Sequence, residues 1–189
     1  CEMIAEILQY FSDDLRIRNM EADCLYAGIM IDTDNFMRKT GVRTFEAAAF
    51  LRRNGADITR IRKMFREDMK NLQAKGQTIS ETELYDKYYA ISVCPTEGIE
   101  SPTIVGAQAA NEMLNIKGVK ASFVLTLFKD TVYISARAID EVNVQIIMER
   151  LGGGGHLNVA GAQLKGKSIA EARMLLKTTL KEMTDGGEI

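Results

Sequence analysis

Residues 142–156 read Val142-Asn-Val-Gln-Ile-Ile-Met-Glu-Arg-Leu-Gly-Gly-Gly-Gly-His156, and this stretch decides how the rest of the chain is read. Val144, Ile147, Met148 and Leu151 recur at helical spacing, so the stretch opens as an amphipathic helix with one face in a core. Gly152, Gly153, Gly154 and Gly155 follow at once, then His156, which is the chain's one histidine. Glycines permit positive φ and let a ligand reach the main chain, where successive N–H groups can form an anion nest. His156 can donate to a phosphate or stack on a base. A flexible linker or a generous helix cap is the competing reading, but the small residues Ala160-Gly161-Ala162 follow closely and argue for a packed setting.

Outward from this point the second half of the chain alternates strand and helix signals. Ala121–Phe128 and Thr131–Ala138 read as strands joined by Lys129-Asp130, Tyr88–Val93 as a shorter strand, and Thr103–Leu114 as a helix. In the strand 131–138, Val132, Ile134, Ala136 and Ala138 face one way while Tyr133, Ser135 and Arg137 face the other. Arg137 beside Ser135 can meet a phosphate in a bidentate contact if the glycine stretch lies close by. A capping box at Ser168-x-x-Glu171 opens a last helix carrying Ala172, Leu176, Leu180 and Met183, after which Asp185-Gly186-Gly187 should fray.

The first half reads as helical throughout. Ile4, Ile7, Leu8 and Phe11 give an amphipathic helix with an apolar face that needs a partner, and Ala22–Ile31 is apolar nearly all round, which predicts a buried helix. That helix delivers Asp32-Thr33-Asp34-Asn35. Met37 and Arg43 stand where a calcium loop needs Gly and Glu, so this is not an EF-hand. A carboxylate at a helix C-terminus opposes the helix dipole and calls for a nearby positive charge, a divalent metal among the options. Thr44 reads as the cap of a helix closed by Asn54-Gly55, and Asp57 as the start of another carrying Ile58, Ile61 and Phe65. A polar stretch from Arg66 and an apparent capping box at Ser80-x-x-Glu83 mark a boundary. The expected organisation is a helical segment 1–65, a connector 66–83 and a small mixed α/β domain 84–189, giving an α/β fold class.

Composition bounds the function. The 189 residues are 46% hydrophobic and 26% charged with only 2 Pro, the profile of a packed protein rather than a disordered one. With a formal charge of −2 the chain carries no field for a long nucleic acid, so any grip on an anion is local. Cys1, Cys24 and Cys94 lack metal-type spacing and fit a reducing cytoplasm, and the longest apolar run is too short for a membrane helix. The opening residues already read as part of a packed protein, so a fragment is expected. Gly161-Ala-Gln-Leu-Lys-Gly166-Lys167-Ser168 matches the phosphate-loop pattern, yet Ala162-Gln163-Leu164 reads as strand and Ser168 is a capping residue, which speaks against a nucleotide triphosphatase.

The stretch Val142–His156 closely resembles the signature of the C-terminal domain associated with DHH-family phosphoesterases. Ala27-Gly-Ile-Met-Ile-Asp-Thr-Asp-Asn-Phe36, with Arg43–Asp57 after it, resembles the last motif of the DHH catalytic domain in membrane-anchored cyclic-di-AMP phosphodiesterases of the GdpP type. The resemblance implies the helical end of a DHH domain followed by a DHH-associated domain. It implies Asp32 as the final, catalytic aspartate ligand of a two-Mn2+ cluster, Arg137 and His156 as phosphate or nucleotide contacts, and Gly152–Gly155 as a substrate-receiving loop. The other metal motifs, a membrane anchor and sensor segments normally precede the point where this chain opens, which makes the chain's own cluster incomplete and the isolated chain close to inactive. Lys39 and Ala138-Ile139-Asp140 depart from the usual pattern. The implied reaction is metal-assisted hydrolysis of cyclic-di-AMP to linear pApA. A nano-RNase or pApA phosphatase of the same superfamily, and a non-catalytic nucleotide-binding module, are the alternatives. The expected partner is a cyclic dinucleotide or short oligonucleotide, with a homodimer possible through the uncovered apolar helix.

Overall fold

A computed structural model describes residues 1–12 and 14–189, which form two compact units, Cys1–Arg66 and Glu67–Ile189. The first unit holds α1 (Glu2–Phe11), α2 (Asn19–Asp32), α3 (Val42–Arg53) and α4 (Ile58–Met64). Its core is small and alanine-rich: Ala5, Ala22, Ala27, Ala47 and Ala56 pack with Ile29, Leu51 and Ile61. Small side chains let helix axes approach closely but bury little apolar area each. One polar group is built into this core. The buried Asp23 carboxylate accepts from the Asp57 backbone N–H at 2.7 Å and from Arg60 Nε at 2.6 Å, tying α2 to the start of α4. The Arg60 guanidinium holds Asp23 below the usual carboxylate range.

Local expectations fare differently across this unit. In α1 only Ala5 is buried, and Ile4, Ile7 and Phe11 lie exposed, the uncovered apolar face that the spacing predicts. The stretch Ala22–Ile31 of α2 is not buried all round, since Cys24 and Ile31 face out, while its one charged residue, Asp23, faces in. Thr44 does not cap α3: Gly41 is the cap, and Thr44 sits one turn in, its hydroxyl accepting from the Gly41 N–H at 3.1 Å. Asp57 caps α4 by accepting from the Arg60 N–H at 2.9 Å.

The second unit contains α5 (Met69–Ser80), β1 (Glu83–Tyr85), β2 (Tyr89–Cys94), α6 (Pro102–Met113), β3 (Ala121–Phe128), β4 (Thr131–Ala138), α7 (Val144–Arg150), β5 (Gly154–His156), β6 (Val159–Lys165) and α8 (Ile169–Asp185). The strands make a sheet ordered β1-β2-β3-β4-β6-β5, antiparallel except for the β2/β3 pair, whose crossover is α6. Strand alternation separates two cores. Ile91, Phe123, Leu125, Val132, Ile134 and their neighbours pack with α7 and α8, while Ala90 and Val124 pack with α6 and Ala74 of α5 on the other face. Buried hydroxyls sew α5 and α6 to that second face: Ser122 donates to the Ala110 carbonyl and Ser92 to that of Thr78, both at 2.6 Å.

The β3–β4 hairpin turns at Lys129 and Asp130, both left-handed at φ 48° and 59°, as a two-residue turn matched to strand twist requires. Ser168 and Glu171 form the expected capping box of α8. The box expected at Ser80 and Glu83 does not form. Ser80 is the last residue of α5, and Glu83 is drawn into β1, where Lys177 of α8 reaches its carboxylate at 2.6 Å. Beyond α8, Glu188 pairs with Arg150 at 2.6 Å and Ile189 packs on the core. Among the described residues no helix is long and apolar enough to cross a membrane.

Candidate functional site

Helix α7 ends in a Schellman motif: the Gly152 N–H donates to the Glu149 carbonyl at 3.0 Å and the Gly153 N–H to that of Met148 at 2.8 Å. Gly152 takes φ 75°, which is why a glycine stands there. The next glycines are not the open loop expected from the sequence. Gly154, Gly155 and His156 form β5, an edge strand paired with β6 in the register Gly154↔Gly161, Gly155↔Ala160, His156↔Val159. Backbone proximity is the reason. A Cβ on Gly153 would lie 2.1 Å from the Gly161 carbonyl oxygen, so side chains are excluded where this segment crosses β6. At Gly154, by contrast, φ is not positive and a Cβ would meet nothing within 4 Å.

Register brings the distant residues together. Arg137 of β4 is the partner of Val159, which is the partner of His156, so Arg137 and His156 occupy one cross-strand rung. Directly paired residues point to one face, and two strand spacings put them about 10 Å apart. That face is the α6 side, because Arg137 also pairs with Ser122, whose hydroxyl bonds α6. The guanidinium is steadied there: Nε donates to Asn111 Oδ1 of α6 at 3.0 Å and Nη1 to the Ala136 carbonyl at 2.9 Å. The adjacent rung, Ser135–Gly161–Gly154, has almost no side chain. Bare backbone therefore floors a groove of about 560 Å³ lined by Thr103, Tyr133, Ser135, Gly152, Gly154 and Gln163, among others. The larger groove beside α8, about 740 Å³ along Tyr85, Val93 and Met174, contains none of the expected site residues.

The sequence placed Tyr133, Ser135 and Arg137 on one strand face but could not show that Gly154, Gly161 and Gln163 continue it. That depends on β4/β6/β5 register, for which only the strand-like Ala162-Gln163-Leu164 gave a signal. Asn111 was missed outright, since nothing local marks a helical Asn as the support of an Arg 26 positions away. Gly161–Ser168, the phosphate-loop match, is mainly strand β6 followed by the α8 cap, so its backbone N–H groups are not gathered round an anion.

Asp32 belongs to the first unit. It is the last residue of α2, its side chain 71% exposed, on a cavity of about 340 Å³ shared with Ile29, Thr33 and Lys39. The chain reverses directly after it: Asp34, Asn35 and Phe36 are all left-handed, and the Thr33 hydroxyl donates to the Ile29 carbonyl at 2.7 Å while accepting from the Phe36 N–H at 3.0 Å. Asp34 is turned to Arg38 at 3.7 Å. Among the described residues no group of three or more His, Cys, Asp or Glu could hold a metal ion. These residues do not fit a two-metal cluster by themselves, and Asp32 can contribute one ligand only.

A six-stranded mixed sheet whose edge hairpin and adjoining strand set a glycine-floored groove one rung from an imidazole and a braced guanidinium defines a small α/β domain. Residues 86–182 match the family model described as the DHHA1 domain, and the chain belongs to that family. It is 43% identical over 176 residues, 93% of its length, to the cyclic-di-AMP phosphodiesterase PdeA of Listeria monocytogenes, and 43% identical over 188 residues, 98% of its length, to the cyclic-di-AMP phosphodiesterase GdpP of Bacillus subtilis. The chain spans 27% and 28% of those two proteins. The fold recurs in an exopolyphosphatase-related protein from Bacteroides fragilis, with a TM-score of 0.78 at 24% identity over 88% of this chain and 51% of that one.

Proposed function

We propose that this chain is the substrate-binding part of a metal-dependent phosphodiesterase that hydrolyses cyclic-di-AMP to pApA. The observation that carries the reading is the single rung holding Arg137 and His156 beside the bare Ser135–Gly161–Gly154 floor. Arg137 gives a planar cationic donor held in place by Asn111 and the Ala136 carbonyl, a group whose shape and charge suit a phosphate. His156, exposed on the edge strand, supplies a second donor, and the absence of side chains at Gly154 and Gly161 lets the ligand backbone lie against the sheet. The identity to two proteins named cyclic-di-AMP phosphodiesterases supports the substrate.

In this reading Asp32 would be one ligand of a Mn2+ centre completed by groups outside the described residues, and such a centre would supply an activated water. The chain's own residues bind and orient the phosphate that is not cut. The longer protein is a cytoplasmic-facing enzyme anchored in the membrane by segments outside this chain. Two experiments test this. Titration calorimetry of the chain with cyclic-di-AMP and pApA is expected to show binding that Arg137→Ala and His156→Ala each weaken about tenfold or more. In the longer protein, Asp32→Ala is expected to abolish turnover while leaving cyclic-di-AMP binding intact; wild-type turnover would remove Asp32 from the catalytic centre. Turnover of short oligonucleotides with no action on cyclic-di-AMP would move the assignment to the nano-RNases.

A further inference from the structure

The far end of the same groove carries a pair of residues that phosphate binding does not use. Tyr133 of β4 and Gln163 of β6 are direct cross-strand partners, so their Cβ atoms lie about 5 Å apart on the α6 face. Thr103, in the first turn of α6, closes this end. Tyr133 is half-buried and Gln163 exposed, and neither side chain hydrogen-bonds to another described residue. Between them and the Arg137–His156 rung lies the Ser135–Gly161–Gly154 rung, where a ligand meets backbone rather than side chains. Along β4, Arg137 and Tyr133 are four residues and hence about 13 Å apart. That is the reach of a nucleotide from its phosphate to the far edge of its base. The groove's volume of about 560 Å³ suits such a ligand.

We propose that Tyr133 and Gln163 form a nucleobase subsite that selects adenine, with the Tyr133 ring stacking on the base and the Gln163 carboxamide reading its edge. This rests on the phosphate-binding role given above to Arg137 and His156. The selectivity follows from hydrogen-bond inventory. A carboxamide offers one donor and one acceptor side by side, which complement the N7 acceptor and N6 amino donor of adenine. Guanine presents two acceptors, N7 and O6, on the same edge, so one of the two contacts fails. Stacking by Tyr133 discriminates little, because every base has a π face.

The test is titration calorimetry of the 189-residue chain with cyclic-di-AMP and cyclic-di-GMP, with a thermal melt of every variant. Wild type is expected to prefer the adenine nucleotide. Gln163→Leu should lower cyclic-di-AMP affinity about tenfold and remove the preference. Tyr133→Ala should weaken both ligands by about tenfold, and Tyr133→Phe, which keeps the ring and the packing, should bind both as wild type does. Arg137→Ala should weaken both ligands and leave their ratio unchanged. Wild-type affinities and ratio in Gln163→Leu and Tyr133→Ala, with binding still lost in Arg137→Ala, would overturn the base subsite alone. Wild-type binding in Arg137→Ala and His156→Ala, or no binding of either nucleotide by the wild-type chain, would overturn the phosphate-binding reading and this inference with it.

Discussion

The two units hold themselves together by different means. In Glu67–Ile189 a sheet is covered on both faces and large side chains such as Phe123, Ile134, Met148 and Leu176 are fully or almost fully buried. In Cys1–Arg66 the core is mostly alanine, one buried carboxylate braces two helices, and Met3, Ile4, Ile7, Tyr10 and Phe11 face outward. Burial of large apolar groups dominates folding free energy, so the second unit has the deeper reserve and the first depends on a few specific contacts. The groove sits on the well-buried scaffold, which keeps Arg137 and His156 in fixed register. Asp32 sits at a helix end followed by three left-handed residues in the sparser unit.

The largest effect that would sharpen this contrast is expected from Leu176→Ala, which removes a fully buried side chain of α8 and should lower the stability of the second unit by about 3 kcal/mol. Urea unfolding combined with amide exchange in β3 and β4 reads it. Gly153→Ala follows at about 2 kcal/mol, because its Cβ would be forced onto the Gly161 carbonyl and the β5 edge must shift. In the first unit Asp23→Ala should cost about 1.5 kcal/mol, since the Asp57 N–H and the Arg60 guanidinium lose their acceptor. The same contact gives the first unit an acid sensitivity. Asp23 is more acidic folded than unfolded, so as pH falls below about 4 the unfolded chain takes up protons first and stability is lost. Far-ultraviolet circular dichroism between pH 6 and about pH 2.5 should show that loss in wild type and less of it in Asp23→Asn. Smallest of all should be Ile7→Ala, within about 0.5 kcal/mol, because that side chain is already exposed. A cost comparable to Leu176→Ala would break the comparison.

What the sequence revealed and concealed follows the same division. Strands β3 and β4 were legible to the residue because alternation and the Lys129-Asp130 turn are local signals. The α8 capping box was legible for the same reason. Ser80 and Glu83 show the limit: the pattern of a capping box is present, but Glu83 gains more by joining β1 and meeting Lys177 far along the chain. Spacing in α1 signalled an apolar face in need of a partner, and Ile4, Ile7 and Phe11 on it lie exposed. In the site, residue types were readable and their conformation was not. Gly153 and Gly155 owe their identity to close passage over β6 as much as to any ligand, and the β5/β6 hairpin that decides this is too short to announce itself by periodicity.

Gly154 separates these two demands, because a side chain there meets open space and adopts no forbidden backbone angle. The most direct test of the central claim is therefore cyclic-di-AMP titration of Gly154→Val beside its thermal melt. If the bare rung is the floor of a nucleotide site, the variant melts close to wild type and loses binding by about tenfold or more. Wild-type affinity in a normally folded Gly154→Val would contradict the account.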